Sequence, residues 1–280
     1  MPETLLEKKW IETSAGRVYY YLSGSRSGFP TIVFLHGLSS NHTTWLRAAG
    51  YLMRNGHDCL LVEMRGHGDS DKTRRKDLYR MPVFSSDLEN ILVKEKIENF
   101  VLVGYSFGGA IALDYAVNRS PSPRAMILIS TNHVNPLRFW RIGFLASPAR
   151  LVVYALARIL QWEKRKNYRY YHPDKAGGYW RSVWHGFGTM PWSINLWMLA
   201  QMSVIDYSDT IERIKFPVLI MHSRKDPFLT EAEVKEMVNK MPRSSVIVSG
   251  HENHFIASQS QDEVAHIILD FVNKYENSDL

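Results

Sequence analysis

A serine framed by glycines carries the strongest chemical signal in this 280-residue chain. In Gly104-Tyr105-Ser106-Phe107-Gly108-Gly109 an apolar run ends and a helical pattern begins, with Ser106 on the turn between them. Such a turn pushes a serine hydroxyl out of a sheet, and glycines flank it where a Cβ would strike neighbouring backbone. The following helix turns its partial positive N-terminus toward the place where an oxyanion would develop. A hydroxyl is a poor nucleophile until a base takes its proton, and the base needs a carboxylate to hold its tautomer. Downstream, Asp226 follows an apolar run in His222-Ser-Arg-Lys-Asp226-Pro227, and two histidines stand in Gly250-His251-Glu-Asn-His254-Phe255. These residues allow a Ser–His–Asp relay with either histidine as the base. His251 and His254 lack the His-Glu-x-x-His spacing of a zinc pair, and no third ligand accompanies them, so no metal is expected.

Elements that position these residues are readable from the hydropathy pattern. Short apolar runs suit buried strands: Thr31–Leu35, Cys59–Glu63, Phe100–Val103, Ala125–Ile129, Pro217–Met221 and Ser245–Val248. Between them lie helical stretches at Thr43–Arg54, Pro82–Lys96, Ala110–Val117 and Glu231–Lys240, with Asp262–Tyr275 closing the chain. Strands apolar on both faces and separated by helices predict an α/β fold, a mainly parallel central sheet covered by helices on both faces. Lys8–Ser23 alternates around Val18-Tyr-Tyr-Tyr21 and predicts an antiparallel ribbon at the sheet edge.

Composition narrows the classes. The chain is 45% hydrophobic and 22% charged, a globular mixture too apolar for disorder. One cysteine, Cys59, excludes an internal disulfide framework. The N-terminal residues lack the apolar core of a signal peptide, and Gly143–Leu160 is interrupted by Pro148 and carries Arg150 and Arg158. A cytoplasmic protein without a transmembrane segment is expected. The net charge of +6 is unevenly placed: between Asn135 and His185 ten Lys and Arg face only Glu163 and Asp174. Six of the eight Trp (Trp140, Trp162, Trp180, Trp184, Trp192, Trp197) fall in or just after the same span, which marks a separate substructure. No nucleic-acid-binding module is recognisable.

Taken together, His36-Gly37 with Trp45, Arg65-Gly66-His67-Gly68-Asp69-Ser70-Asp71, the Ser106 turn, Ile214-Lys-Phe-Pro217 leading to Asp226, and the C-terminal histidine segment resemble the α/β-hydrolase superfamily. Within it the chain is similar to the capped esterase, lipase and peroxidase-like group. The resemblance implies a core over residues 1–132 and 207–280, with a helical cap inserted at 133–206. It also implies a catalytic triad of Ser106, Asp226 and His254. Such families usually read Gly-His-Phe at the base; here Asn253 replaces the glycine, and the distance from His254 to Val264 favours His254 over His251. Backbone N–H groups of Leu38 and Phe107 would form the oxyanion hole. Glu63 stands where the family usually has Asp and reads as structural; His36 and His67 read as loop braces.

The activity implied is hydrolysis of lipophilic carboxylic esters, of short to medium acyl length, through an acyl-enzyme and without a cofactor. Related alternatives are carbon–carbon bond hydrolysis, cofactor-free peroxidase chemistry, or ligand sensing on the same fold. The aromatic cap suits an apolar substrate. Its basic surface suits either weak contact with an anionic lipid interface or plain solvation.

Overall fold

The computed structural model describes residues 5–14, 16–24, 28–137, 143–160, 190–250 and 253–276. The chain opens with the ribbon expected from its alternating pattern: β1 (Leu6–Thr13) and β2 (Gly16–Ser23) pair antiparallel from Leu6↔Ser23 to Thr13↔Gly16. Next come β3 (Thr31–Leu35), α1 (Leu46–Arg54), β4 (Cys59–Val62), α2 (Met81–Glu95), β5 (Phe100–Tyr105), α3 (Phe107–Asn118) and β6 (Ala125–Ile129). Among the described residues two helices, α4 (Gly143–Leu160) and α5 (Trp192–Met202), intervene before β7 (Val218–Ser223), α6 (Glu231–Lys240), β8 (Ser244–Ser249), the short α7 (Ile256–Gln259) and α8 (Gln261–Glu276).

The eight strands lie in the order β1-β2-β4-β3-β5-β6-β7-β8. From β4 to β8 every pairing is parallel, while β2 joins β4 antiparallel through Tyr20↔Val62. Alternate side chains feed two cores. Val33, Leu35, Leu102 and Leu128 face the layer of α2 and α3, whereas Ile32, Phe34, Val103 and Ile127 face α1 and α8. All eight are buried, and each such side chain contributes about 1.5–3 kcal/mol through desolvation. Burial on both faces explains why these strands read as unbroken apolar runs.

Three local readings need adjustment. The stretch expected as one helix from Thr43 begins as a 3-10 turn, His42–Trp45, whose Asn41 side chain accepts the Thr43 N–H at 2.9 Å; α1 proper starts at Leu46. β8 is an edge strand rather than a doubly buried one, with Val246 39% and Val248 45% exposed. Helix α4 runs through Pro148 instead of breaking there. Pro148 is the sixth residue of α4 and lacks the N–H for an i→i−4 bond, a loss the helix absorbs without ending there. Among the described residues no helix is long and apolar enough to cross a membrane.

Candidate active site

Ser106 sits at the carboxyl end of β5, a central strand, with β3 and β6 as its neighbours. Its φ of 52° and ψ of −113° hold it in a strained turn, and α3 begins at the next residue. The helix therefore starts three residues earlier than the apolar periodicity suggests, which brings its N-terminus directly to the serine. The turn closes only with glycine at two neighbouring positions. A Cβ on Gly104 would stand 2.5 Å from the Gly109 Cα, and one on Gly108 would stand 2.4 Å from the Leu35 carbonyl oxygen. Both obstacles are backbone, so neither can swing aside.

The chain brings Ser106, His254 and Asp226 together from three elements. The Ser106 Oγ lies 2.8 Å from His254 Nε2, and His254 Nδ1 lies 2.8 Å and 3.0 Å from the two Asp226 carboxylate oxygens. With the carboxylate on Nδ1, that nitrogen carries the proton and Nε2 presents its lone pair to the serine. Asp226 follows β7 and is itself fixed, because one carboxylate oxygen also accepts the Phe228 N–H at 2.9 Å. Four residues on, Thr230 and Glu233 form a reciprocal cap on α6, anchoring the far end of that loop. His254 is wedged among Tyr105, Phe228 and Phe255, and the Tyr105 hydroxyl donates to its carbonyl oxygen at 3.1 Å. Asn253, the departure from the usual glycine, accepts the Phe255 N–H at 2.8 Å through its side chain and so holds the histidine loop. His251 lies outside the described residues.

Leu38 lines the cavity over Ser106, and Phe107 contributes the first N–H of α3. The loop bearing Leu38 is braced by two buried histidines. His36 donates from Nδ1 to the Gly37 carbonyl at 2.8 Å and accepts the Met64 N–H on Nε2 at 3.3 Å. His67 accepts the Ser39 N–H on Nε2 at 3.2 Å while its Nδ1 faces the Arg65 carbonyl at 3.2 Å. Each ring needs one bare nitrogen, so both act as neutral imidazoles. Burial pushes His36 down from 6.5 to about 4 and His67 well below its ordinary value.

Arg65 holds this region from below with a buried two-pronged contact to Asp87, at 2.7 Å and 2.6 Å. Glu63 is structural: its carboxylate accepts the backbone and ring N–H of His42, at 2.7 Å and 2.5 Å, and the Asp69 N–H at 2.8 Å. Burial alone would raise its pKa, but the His42 contacts hold it below the usual carboxylate value.

Above the serine is a cavity of about 200 Å³, walled largely by apolar groups including Leu137, Leu199, Met202, Ile205 and Phe228. Leu199 and Met202 belong to α5, so the inserted helices supply part of its roof. The cap aromatics at 139–140 and 162–184 fall outside the described residues. Polar residues at the cavity, among them Ser39, Asn132 and Ser130, escape sequence reasoning. The Ser39 hydroxyl donates to the side-chain oxygen of Asn195 on α5. Asn132 donates to the Phe228 carbonyl at 3.0 Å, and Ser130 buries its hydroxyl. The signal for Asn195 is an amide set between Ile194 and Leu196 in a mostly apolar helix. Ser39, Ser106 and Ser130 all hold positive φ and all border this cavity.

Residues 30–260 match the family model described as the alpha/beta hydrolase fold. The chain belongs to that family. The AB hydrolase superfamily protein YisY of Bacillus subtilis (strain 168) is 23% identical over 257 residues, covering 86% of this chain and 91% of the relative. The sn-1-specific diacylglycerol lipase ABHD11 of Mus musculus is 23% identical over 261 residues, or 90% of this chain and 84% of the relative. Among solved structures, an esterase from Exiguobacterium antarcticum superposes with a TM-score of 0.71 at 18% identity, covering 95% of this chain and all of that one. For this α/β-hydrolase chain the last likeness establishes the fold alone.

Proposed function

We propose that this protein is a serine hydrolase that cleaves carboxylic esters of lipophilic, short- to medium-chain acyl groups. The observation that carries the reading is the unbroken contact from Ser106 through His254 to Asp226, opening on an apolar cavity. His254 Nε2 takes the hydroxyl proton as Ser106 Oγ attacks the ester carbonyl. The N–H groups of Leu38 and Phe107 stabilise the oxygen that becomes negative, aided by the α3 N-terminus. His254 then returns the proton to the leaving alcohol, and Asp226 stabilises the transient imidazolium. A water activated by the same histidine hydrolyses the acyl-enzyme. No step needs a metal or organic cofactor. The division into a core (1–132 and 207–280) and a cap (133–206) belongs to the same reading, with α5 as the roof over the acyl group. The activity named for the mouse relative, a diacylglycerol lipase, is of this chemical class.

The test is intact-mass analysis after treatment with a fluorophosphonate, paired with turnover of p-nitrophenyl esters. A single adduct, absent in Ser106→Ala, together with ester turnover that the same change abolishes, is the expected result. An adduct on another residue, or turnover that survives the substitution, overturns the proposal. An adduct without ester turnover would move the assignment to a related reaction or to ligand sensing.

A further inference from the structure

From Leu151 to Leu160, helix α4 turns apolar side chains to solvent. Ala157 is fully buried and Tyr154 partly so, and the Tyr154 hydroxyl accepts from Gln201 of α5 at 3.1 Å, which fixes the inward face. The opposite face carries Leu151, Val152, Leu156, Ile159 and Leu160, spaced at helical intervals. Leu151 is 68% and Ile159 70% exposed. An amphipathic helix normally buries such a stripe, and a continuous exposed one marks an interaction surface. Its surroundings are positively charged. A groove of about 590 Å³ runs beside it, lined by Arg74, Arg75, Lys76, Arg158, Leu151 and Tyr154. Asp77 pairs with Arg75 at 2.9 Å, and the Lys76 ammonium lies 5.5 Å from the Tyr154 ring centre. Cations therefore stand beside the apolar side chains rather than across the molecule from them.

We infer that α4 docks this protein on the surface of an anionic lipid bilayer. Leu151, Val152, Leu156 and Ile159 enter the boundary between headgroups and acyl chains, while Lys76, Arg158 and their basic neighbours meet lipid phosphates. Two observations select this occupant. An aliphatic stripe confined to one face from Leu151 to Leu160 matches the shallow depth that an interfacial helix reaches, and the basic groove complements negative headgroups. A protein partner's apolar groove would satisfy the stripe but offer no negative group to Lys76 and Arg158. The docking face lies on the outer helix of the pair whose inner member roofs the Ser106 cavity. It involves none of the residues proposed for ester chemistry and stands without that proposal.

Co-sedimentation of the full chain with sucrose-loaded vesicles tests the inference, using phosphatidylcholine alone and phosphatidylcholine with about one-third phosphatidylglycerol. Partitioning onto the anionic vesicles should exceed that onto neutral ones by about tenfold or more at low salt, and most of the excess should vanish at high salt. Leu151→Ser with Ile159→Ser should weaken binding to the anionic vesicles at least about tenfold. Lys76→Gln with Arg158→Gln should weaken it by about fivefold per cation there and scarcely at all on neutral vesicles. Each pair is on the surface, so thermal unfolding should stay near the wild-type value, and Ser106→Ala should bind as the wild type does. Equal partitioning onto both vesicle types, no partitioning, or an unchanged Leu151/Ile159 variant overturns the inference. So does a dimer in sedimentation velocity that the Leu151/Ile159 change dissolves without any loss of vesicle binding, since the stripe would then belong to a second copy.

Discussion

Ser39 and Asn195 are hydrogen-bonded across the boundary between the core and the inserted helices, although 156 residues separate them in the chain. Ser39 follows Leu38 directly, and its own N–H is held by His67. The position of α5 is thus tied to the loop that supplies one proposed oxyanion donor. Asn195→Ala removes the amide oxygen that accepts from the buried Ser39 hydroxyl, a loss of about 1–3 kcal/mol. The expected result is a roughly tenfold or larger fall in kcat with a smaller change in KM, and a matching fall in the rate of fluorophosphonate labelling. Asn195→Asp keeps an acceptor and should recover part of the rate. A purely structural role would lower Tm without slowing labelling of the folded enzyme.

The proposed base, His254, and its carboxylate, Asp226, should behave as one unit. His254→Ala should lower kcat by about 10³-fold or more, and Asp226→Asn should be comparably severe because it permits the wrong imidazole tautomer. His251→Ala should be mild. Steady-state kinetics on a single p-nitrophenyl ester decide the order, and a more damaging His251 change would reassign the base.

Acyl length should be read by the apolar cavity. Each buried methylene is worth about 0.8 kcal/mol, or roughly fourfold in kcat/KM, until the space above Ser106 is filled. A profile from acetyl to decanoyl esters should therefore rise and then level off. A steady decline from acetyl would indicate a small-acyl enzyme.

Acid should destabilise the fold through the histidines under the Leu38 loop. His36 falls from 6.5 to about 4 on burial, so between those values the unfolded chain binds more protons than the native one. Stability is then fully present above pH 6.5 and is lost as pH falls toward 4. His36 alone accounts for roughly 3 kcal/mol over that interval, and His67 acts in the same direction. Urea melts at several pH values should show this slope, and His36→Gln should flatten it while lowering stability near neutrality.

Much of this architecture is legible along the chain because burial on both faces writes an unambiguous pattern. Phe100–Val103 and Ala125–Ile129 are apolar throughout since both of their sides meet helices. The Ser106 turn is legible for a steric reason, as the backbone crowding at Gly104 and Gly108 leaves no room for other residues. Spacing favours His254 over His251 in the sequence, and His254 Nε2 stands 2.8 Å from the Ser106 Oγ, while His251 lies outside the described residues. What stayed hidden depends on long-range meetings of ordinary polar residues. Nothing near Ser39 predicts Asn195, and nothing near Glu63 says that His42 will deliver two hydrogen bonds to it. The outward stripe of α4 was hidden too, since an apolar helical period specifies a face without specifying whether that face turns inward.

Positive φ at Ser39, Ser106 and Ser130 has a thermodynamic corollary. A side chain in such a conformation costs about 1–2 kcal/mol that glycine largely avoids. Ser106, the proposed nucleophile, is therefore held at an angle the folded chain would surrender if it were free to do so. Ser106→Gly, inert as an esterase, should melt above the wild type, whereas Ser106→Ala keeps the Cβ and should not. Under the proposed chemistry, reactivity and resistance to unfolding are opposed at this single backbone angle of Ser106.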